Sequence, residues 1–298
     1  MSTLRPRVVL VTRETELSAL LARHGTRGQV DFYLSARGQS FDQIEDRDRL
    51  QTDAVAATKD MIPQDWSLAE VSRDDLNRFL FFPNDVIVAL GQDGLVANLA
   101  KYLTGQPVIG VTPSFDMGEG VLTPHGLRVL PKLLTAAGAG QANTQSRAMV
   151  QAQLTGGDSL MALNELFIGH RSHQSARYEL SFGEAVEFQS SSGLIVATGT
   201  GLTGWARSIM AATHIDHHID AEEAKAAFFS REPWPSRTSG DSLRSGVIAP
   251  DAPLNILSRI NDGGVIFADG IEQDYLGFDW GADVVIRVAD AKLELVQT

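Results

Sequence analysis

The run DVIVAL, Asp85–Leu90, is apolar after its first residue, and Gly91-Gln92-Asp93-Gly94 follows it directly. A short unbroken apolar run closed by glycine reads as a buried strand. The next segment, GLVANLAKYLTG, is patterned as a helix, so strand passes to helix within one tight loop. The same alternation brackets this unit. RVVLV reads as a strand, TELSALLARHG as a helix with Leu17, Leu20 and Leu21 on one face and Gly25 as its stop, and VDFYLS as a second strand. FDQIEDRDRLQTDAVAATKDMI reads as helix, WSLAEVS as a third strand followed by a helical turn from Asp74 to Leu80, and PVIGVT as a further strand. Strands alternating with helices predict a parallel sheet covered by helices.

Beyond about Gly140 the texture changes. RAMVQAQLT, MALNELFIGH, ARYELSF, AVEFQS and GLIVAT come as short runs broken by Gly, Ser and Asp, and GGVIFADG, DYLGFDW and DVVIRV continue the pattern. Such spacing predicts a β-rich domain of sandwich or layered type. Between them, HIDHHIDAEEAKAAFFSREPWPSR reads as a polar helical stretch and a Pro-rich loop. The expected organisation is an α/β N-terminal domain over 1–140 and a β-rich C-terminal domain over 141–298, whose last strand is a candidate to return to the first. A chain of 298 residues is long enough for two such cores.

Composition narrows the function. The formal charge of −12 argues against non-specific nucleic-acid or anionic-membrane binding, but not against small anions held by local groups. With no cysteine, disulfides and thiolate metal sites are excluded. The apolar part of MSTLRPRVVLVT is too short for a signal sequence, and no later run approaches a membrane span, so the expected setting is cytoplasmic.

Two glycine loops carry the chemistry. In LIVATGTGLTGWA, Gly199, Gly201 and Gly204 have the G-x-G-x-x-G spacing of a dinucleotide-binding fingerprint. A Rossmann unit would need a second strand ending in an acidic residue, and the polar THIDHHIDAEEAKAA stands there instead. Two other readings stay open: a glycine-rich turn with no ligand, or a nucleotide site of another design with the hydroxyls of Thr198, Thr200 and Thr203 around the backbone. The second loop, GQDG, lies where a strand ends and a helix begins, the usual ligand position in an open α/β sheet. Helix N–H groups there suit phosphate. Asp93 is an odd residue for an anion cradle; it reads either as a helix N-cap or as a group that takes a proton or holds a metal.

Together the loops resemble the NAD kinase family. PNDVIVALGQDGLVANLAKYLTGQPVIGV is similar to that family's strand, GGDGT loop and helix; ALNELFIG to its Asn-Glu motif, at Asn164 and Glu165; and SSGLIVATGTGLTGW to its Thr-rich segment. The likeness runs in order from Val8 onward. It is strongest to the mitochondrial-type branch, through Ser191–Leu194, Thr198–Gly201, Arg231–Pro233 and Asp262–Gly264. The resemblance implies a homodimeric phosphotransferase that uses ATP, with Mg²⁺ arriving on it, to phosphorylate the 2′-hydroxyl of NAD. It implies Asp93 as the acceptor of the hydroxyl proton, and Asn164 and Glu165 as ribose ligands. Thr198, Thr200 and Thr203 would line the adenine or phosphate region, and Gly91, Gln92 and Gly94 the path of the ATP phosphates. Two positions depart from the family loop: Gln92 stands for its second glycine and Leu95 for its threonine. A left-handed backbone at position 92 would cost a non-glycine residue roughly 1–2 kcal/mol. Leu95 removes a hydroxyl. These departures fit a catalytically silent nucleotide-binding protein, and the Asp loop alone also fits a lipid or other small-molecule kinase.

Three further features stand apart. His214, His217 and His218 with Asp216 and Asp220 read as a metal cluster or, more simply, as an exposed polar helix. His170 and His173 read as phosphate contacts or as an exposed loop. Trp205 reads as a base-stacking or a core residue.

Overall fold

A computed structural model describes residues 5–113 and 120–298. The chain divides into two compact units, one of residues 1–144 with 294–298 and one of residues 145–293.

The first unit contains β1 (Arg7–Thr12), α1 (Glu16–His24), α2 (Arg27–Ser35), α3 (Phe41–Asp60), β2 (Ser67–Ser72), β3 (Asp85–Leu90), α4 (Asp93–Ala100), β4 (Pro107–Val111) and α5 (Leu130–Gly138). Its strands run parallel in the order β2-β1-β3-β4, and Glu294 and Leu295 at the chain's end continue the sheet beside β4. Every residue of β3 is buried. Its Val86, Val88 and Leu90 pack with Leu130, Leu133 and Leu134 of α5. Helices on a parallel sheet explain the continuous apolar runs, because neither face of a central strand meets water.

One expectation fails here. VDFYLS lies wholly within α2, not in a strand. Thr26 caps that helix by accepting from Gln29 N, and Val30 and Leu34 pack with Leu17 and Ile44 of the flanking helices. The apolar spacing of four, not the apparent β content, was the operative signal.

The second unit contains β5 (Thr144–Leu154), β6 (Ser159–Ala162), β7 (Glu165–His170), β8 (Ala176–Phe182), β9 (Ala185–Ser191), β10 (Leu194–Thr198), α6 (Trp205–Thr213), β11 (Ala226–Ser230), β12 (Ser245–Ile248), β13 (Leu254–Ser258), β14 (Gly264–Ala268), β15 (Ile271–Gly277) and β16 (Asp283–Val296). Six antiparallel strands form one sheet in the order β12-β11-β10-β7-β14-β15. A second layer joins β16, β13, β8 and β9, with β5 and β6 alongside. Leu194, Val196, Phe228 and Ile266 pack between the layers against Tyr178, Leu180 and Ile256. Their strand neighbours Ile195, Ala197, Phe229 and Phe267 face the other way, against Ala206 of α6 and Ile219. The six-stranded sheet is therefore covered on both faces, and GLIVAT and GVIFA read as unbroken apolar runs for that reason.

The helix expected across HIDHHIDAEEAKAAFF is also absent. α6 ends at Thr213, with His214 left-handed at φ 56, and Ala226–Ser230 form the fully buried β11 between β10 and β12. Pairing on both sides overrides the helix propensity of the alanines. The Rossmann reading fails on the same evidence: β10, which precedes the fingerprint, is antiparallel to both neighbours.

Candidate active site

Asp93 is the first residue of α4, while Gln92 occupies the N-cap. The Asp93 side chain does not cap its own helix. Its Oδ1 accepts from Leu122 N, Thr123 N and Thr123 Oγ1, each at 3.0 Å, and Oδ2 accepts from Val121 N at 2.8 Å. Two glycines admit that clamp. A Cβ on Gly110 would lie 1.9 Å from Leu122 O, and one on Gly120 would lie 2.4 Å from Asp93 Oδ1. Segment 121–125 therefore runs against β4, fixed by Thr112 N to His125 O at 2.8 Å and by His125 Nε2 to Val296 O at 2.8 Å. The carboxylate is held in one orientation, with acceptor capacity left on Oδ2. The clamp was invisible in the sequence, where residues 120–125 carry no pattern beyond their glycine.

The two departures from the family loop look different in three dimensions. Gln92 has φ −98 and ψ 166, an extended backbone open to any residue, so the condition for left-handed strain is not met there. Leu95 is buried, its Cδ2 3.2 Å from where a Cβ on Gly91 would stand. Gly94 would accept a Cβ without meeting any atom.

In the second unit, Asn164 and Glu165 form the turn into β7. A carboxylate holds that turn too. Asp269 Oδ2 accepts from Leu163 N at 3.0 Å, and its Oδ1 from Asn164 N at 2.7 Å and Glu165 N at 3.2 Å. Asp269 N returns a bond to Glu165 O at 3.0 Å, and Asp269 itself is left-handed at φ 51. Sequence reasoning missed this residue; its signal was the Asp-Gly pair after GVIFA, a turn dipeptide that places an acid in a tight bend. With its N–H groups taken, the turn leaves the Asn164 amide and the Glu165 carboxyl without hydrogen-bond partners among the described residues. Burial, and secondarily the Asp269 charge, push Glu165 up from 4.5 to about 7.

The Thr-rich loop lies against this turn. Thr198 N donates to Asn164 O at 2.9 Å, and Thr198 Oγ1 to Leu163 O at 2.5 Å. Thr203 Oγ1 donates to Thr200 O at 2.8 Å, and buried Thr200 accepts from Arg147 Nη1 at 3.2 Å through its own hydroxyl. A Cβ on Gly201 would lie 2.0 Å from Asn164 O, and one on Gly199 2.3 Å from Asp220 O. Close backbone packing accounts for these two glycines. Arg147 escaped notice because β5 carries no motif.

The remaining motifs form one hydroxyl-rich support. Tyr178 OH meets Ser191 Oγ at 2.7 Å, Ser230 Oγ at 3.1 Å and Gln189 Oε1 at 3.1 Å; burial pushes this phenol up to about 12. Ser192 N donates to Arg231 O at 2.8 Å, and Arg231 N to Gly193 O at 2.9 Å, so the Ser-Ser-Gly and Arg-Glu-Pro segments are partners. Arg231 lies 5.1 Å over the Trp205 ring, which stacks on Phe167 at 6.2 Å. His217 packs on Phe229, and His218 Nε2 lies 3.8 Å from Asp220; no metal-binding group of acids and histidines occurs among the described residues.

The structure thus brings Asn164, Glu165, Thr198, Thr200 and Thr203 together within the second unit, and sets Gly91, Gln92, Asp93 and Gly94 at the head of α4 in the first. This fold is the one seen in solved pyridine-nucleotide kinases. A structure of an NAD kinase from Archaeoglobus fulgidus in complex with ATP superposes with a TM-score of 0.60 over 98% of this chain and 93% of that one, at 18% identity. Yeast NADH kinase complexed with NADH gives the same TM-score over 99% and 84%, at 15% identity. In sequence the chain is related to NAD kinases. It is 35% identical over 134 residues to the enzyme of Ralstonia nicotianae and 33% identical over 134 residues to that of Cupriavidus pinatubonensis. The match spans 42% of this chain and 43% and 42% of those relatives. No family model matches.

Proposed function

We propose that the protein is a phosphotransferase that moves the terminal phosphoryl group of ATP to the 2′-hydroxyl of NAD. Two prepared groups, one in each unit, carry this reading. One is a clamped carboxylate, Asp93, at a strand-to-helix turn; the other is an Asn164–Glu165 turn whose polar ends are unspent. The unspent amide and carboxyl suit a ribose, which offers vicinal hydroxyls as donors and acceptors. Asp93 Oδ2 takes the hydroxyl proton as the oxygen attacks phosphorus, and the clamp on 121–123 keeps that oxygen from rotating away. Gly91, Gln92 and Gly94 lie at the α4 N-terminus, whose N–H groups suit the phosphates. Thr198, Thr200 and Thr203 shape the wall beside the Asn164–Glu165 turn through backbone and hydroxyl groups. Mg²⁺ arriving with ATP supplies charge neutralisation at the transferred group. The family likeness favours a homodimer, and the sequence pattern a cytoplasmic setting.

The test is direct. Incubation with ATP, Mg²⁺ and NAD should yield NADP, read by an NADP-specific dehydrogenase, and Asp93→Asn should lower turnover ~10²–10⁴-fold. Turnover unchanged by that substitution removes Asp93 from the chemistry. NAD binding without any NADP leaves the silent nucleotide-binding protein as the answer.

A further inference from the structure

A polar pocket lies within the second unit, at the far end of β7 from the Asn164–Glu165 turn. Five residue steps of strand carry the chain from Glu165 to His170, roughly 16 Å. The pocket encloses about 720 Å³, and its lining includes His170, Arg171, His173, Arg177, Arg259 and Asp262. In a chain of formal charge −12, three arginines facing one pocket against a single carboxylate reverse the prevailing sign.

The backbone builds this arrangement. Arg171 N donates to Gly263 O at 2.9 Å, and Arg259 N donates to Arg177 O at 2.8 Å. These bonds join the β7–β8 turn and the start of β8 to segment 259–263, and set Arg177 beside Arg259. Gly263 takes φ +79, a backbone that favours glycine, and a Cβ there would lie 2.9 Å from His170 Nε2. The Ser172 N–H donates to His170 Nδ1 at 3.0 Å, which leaves Nε2 as the proton-bearing nitrogen of the neutral ring.

The guanidiniums are poorly neutralised by the protein itself. Arg171 reaches Asp262 only at 3.9 Å, and that carboxylate is 87% exposed. Arg259 reaches Glu179 at 4.0 Å and lies 5.3 Å over the Trp280 ring. Arg177 has no ion pair or side-chain hydrogen bond among the described residues. Neighbouring like charges repel, and several forked donors around a concave space match the oxygens of a phosphate chain.

We propose that this pocket binds a compact polyphosphate anion, either free inorganic phosphate chains or the phosphate end of a nucleotide. The probes are inorganic triphosphate, ATP and adenosine, titrated calorimetrically into the full chain. Triphosphate should bind, and Arg177→Gln should weaken it roughly 10- to 100-fold, the usual effect of losing a charge-assisted bond. Arg259→Gln should act in the same direction, and Arg177→Lys should restore part of the affinity. Far-ultraviolet circular dichroism checks that the variants are folded. The part of each affinity that Arg177→Gln removes reads this pocket: an equal loss for triphosphate and ATP assigns the site to free chains, and a larger loss for ATP assigns it to nucleotides; adenosine should show no Arg177-dependent binding. Gly94→Ala, on the proposed ATP path, separates this pocket from the transfer site, and the triphosphate affinity that Arg177→Gln removes should survive it. Triphosphate binding left unchanged by Arg177→Gln overturns the proposal, as does absence of triphosphate binding to the unaltered chain.

Discussion

The two units hold a carboxylate in the same way and leave it with different work. Asp93 accepts from the N–H groups of three consecutive residues, 121–123, and Asp269 from three others, 163–165. In the first unit the clamped carboxylate is itself the reactive candidate. In the second it is scaffolding, and the unspent groups belong to the turn it holds. A backbone nest for a carboxylate is therefore not a signature of catalysis; the capacity remaining after the nest is filled is what distinguishes the two.

Paired substitutions separate the two roles. Asp93→Asn keeps the Oδ1 contacts but turns an amide N–H₂ toward Val121 N–H, so it lowers stability as well as turnover. Its dominant effect should be the ~10²–10⁴-fold fall in kcat, with a much smaller change in KM for NAD. A larger change in KM than in kcat would make the two carboxylates equivalent.

Glu165→Gln probes the unspent group. The folded protein holds Glu165 at about 7 against an ordinary 4.5, so between these values the native state binds more proton than the unfolded chain. The associated stability is present below 4.5 and is lost as pH rises through 7. Relative to the parent, Glu165→Gln should gain stability as pH rises across that window, by at most about 3 kcal/mol before solvent screening, and show a constant difference above it. Thermal melts from pH 4 to 9 read this directly. A pH-independent difference would mean that the carboxyl ionises normally.

Asp269→Asn turns an amide toward Leu163 N–H and should cost about 1–3 kcal/mol in urea unfolding. It should raise KM for NAD more than it lowers kcat, and it should bring Glu165 closer to its ordinary value by removing a neighbouring charge. A pure kcat effect would give Asp269 a chemical role instead.

The smallest effect is expected at Gly94. A Cβ there meets no atom, so Gly94→Ala should stabilise the protein by about 0.4–1 kcal/mol through the unfolded chain. The same methyl group narrows the approach to the α4 N-terminus, so KM for ATP should rise while melting temperature increases. A stabilised variant with unaltered ATP kinetics would place the phosphates elsewhere.

Local pattern decided a good deal. DVIVAL, RVVLV and GLIVAT announce strands through unbroken apolar runs, TELSALLARHG announces its helix through spacing and Gly25, and the change of texture near residue 140 separates an α/β part from a β-rich one. GQDG, Asn-Glu and Thr-Gly-Thr-Gly mark the candidate site because their residue types and order are local properties of the chain. Only the tertiary structure decided the rest. VDFYLS became helix because Val30 and Leu34 find partners in α1 and α3, and AAFFS became strand because β10 and β12 lie on either side of it. Asp269 and the 121–123 clamp were unreadable for the same reason. Hydrogen bonds between residues about 30 and 105 positions apart leave no periodicity in a sequence, because they depend on how folded segments meet rather than on which residues are neighbours along the chain.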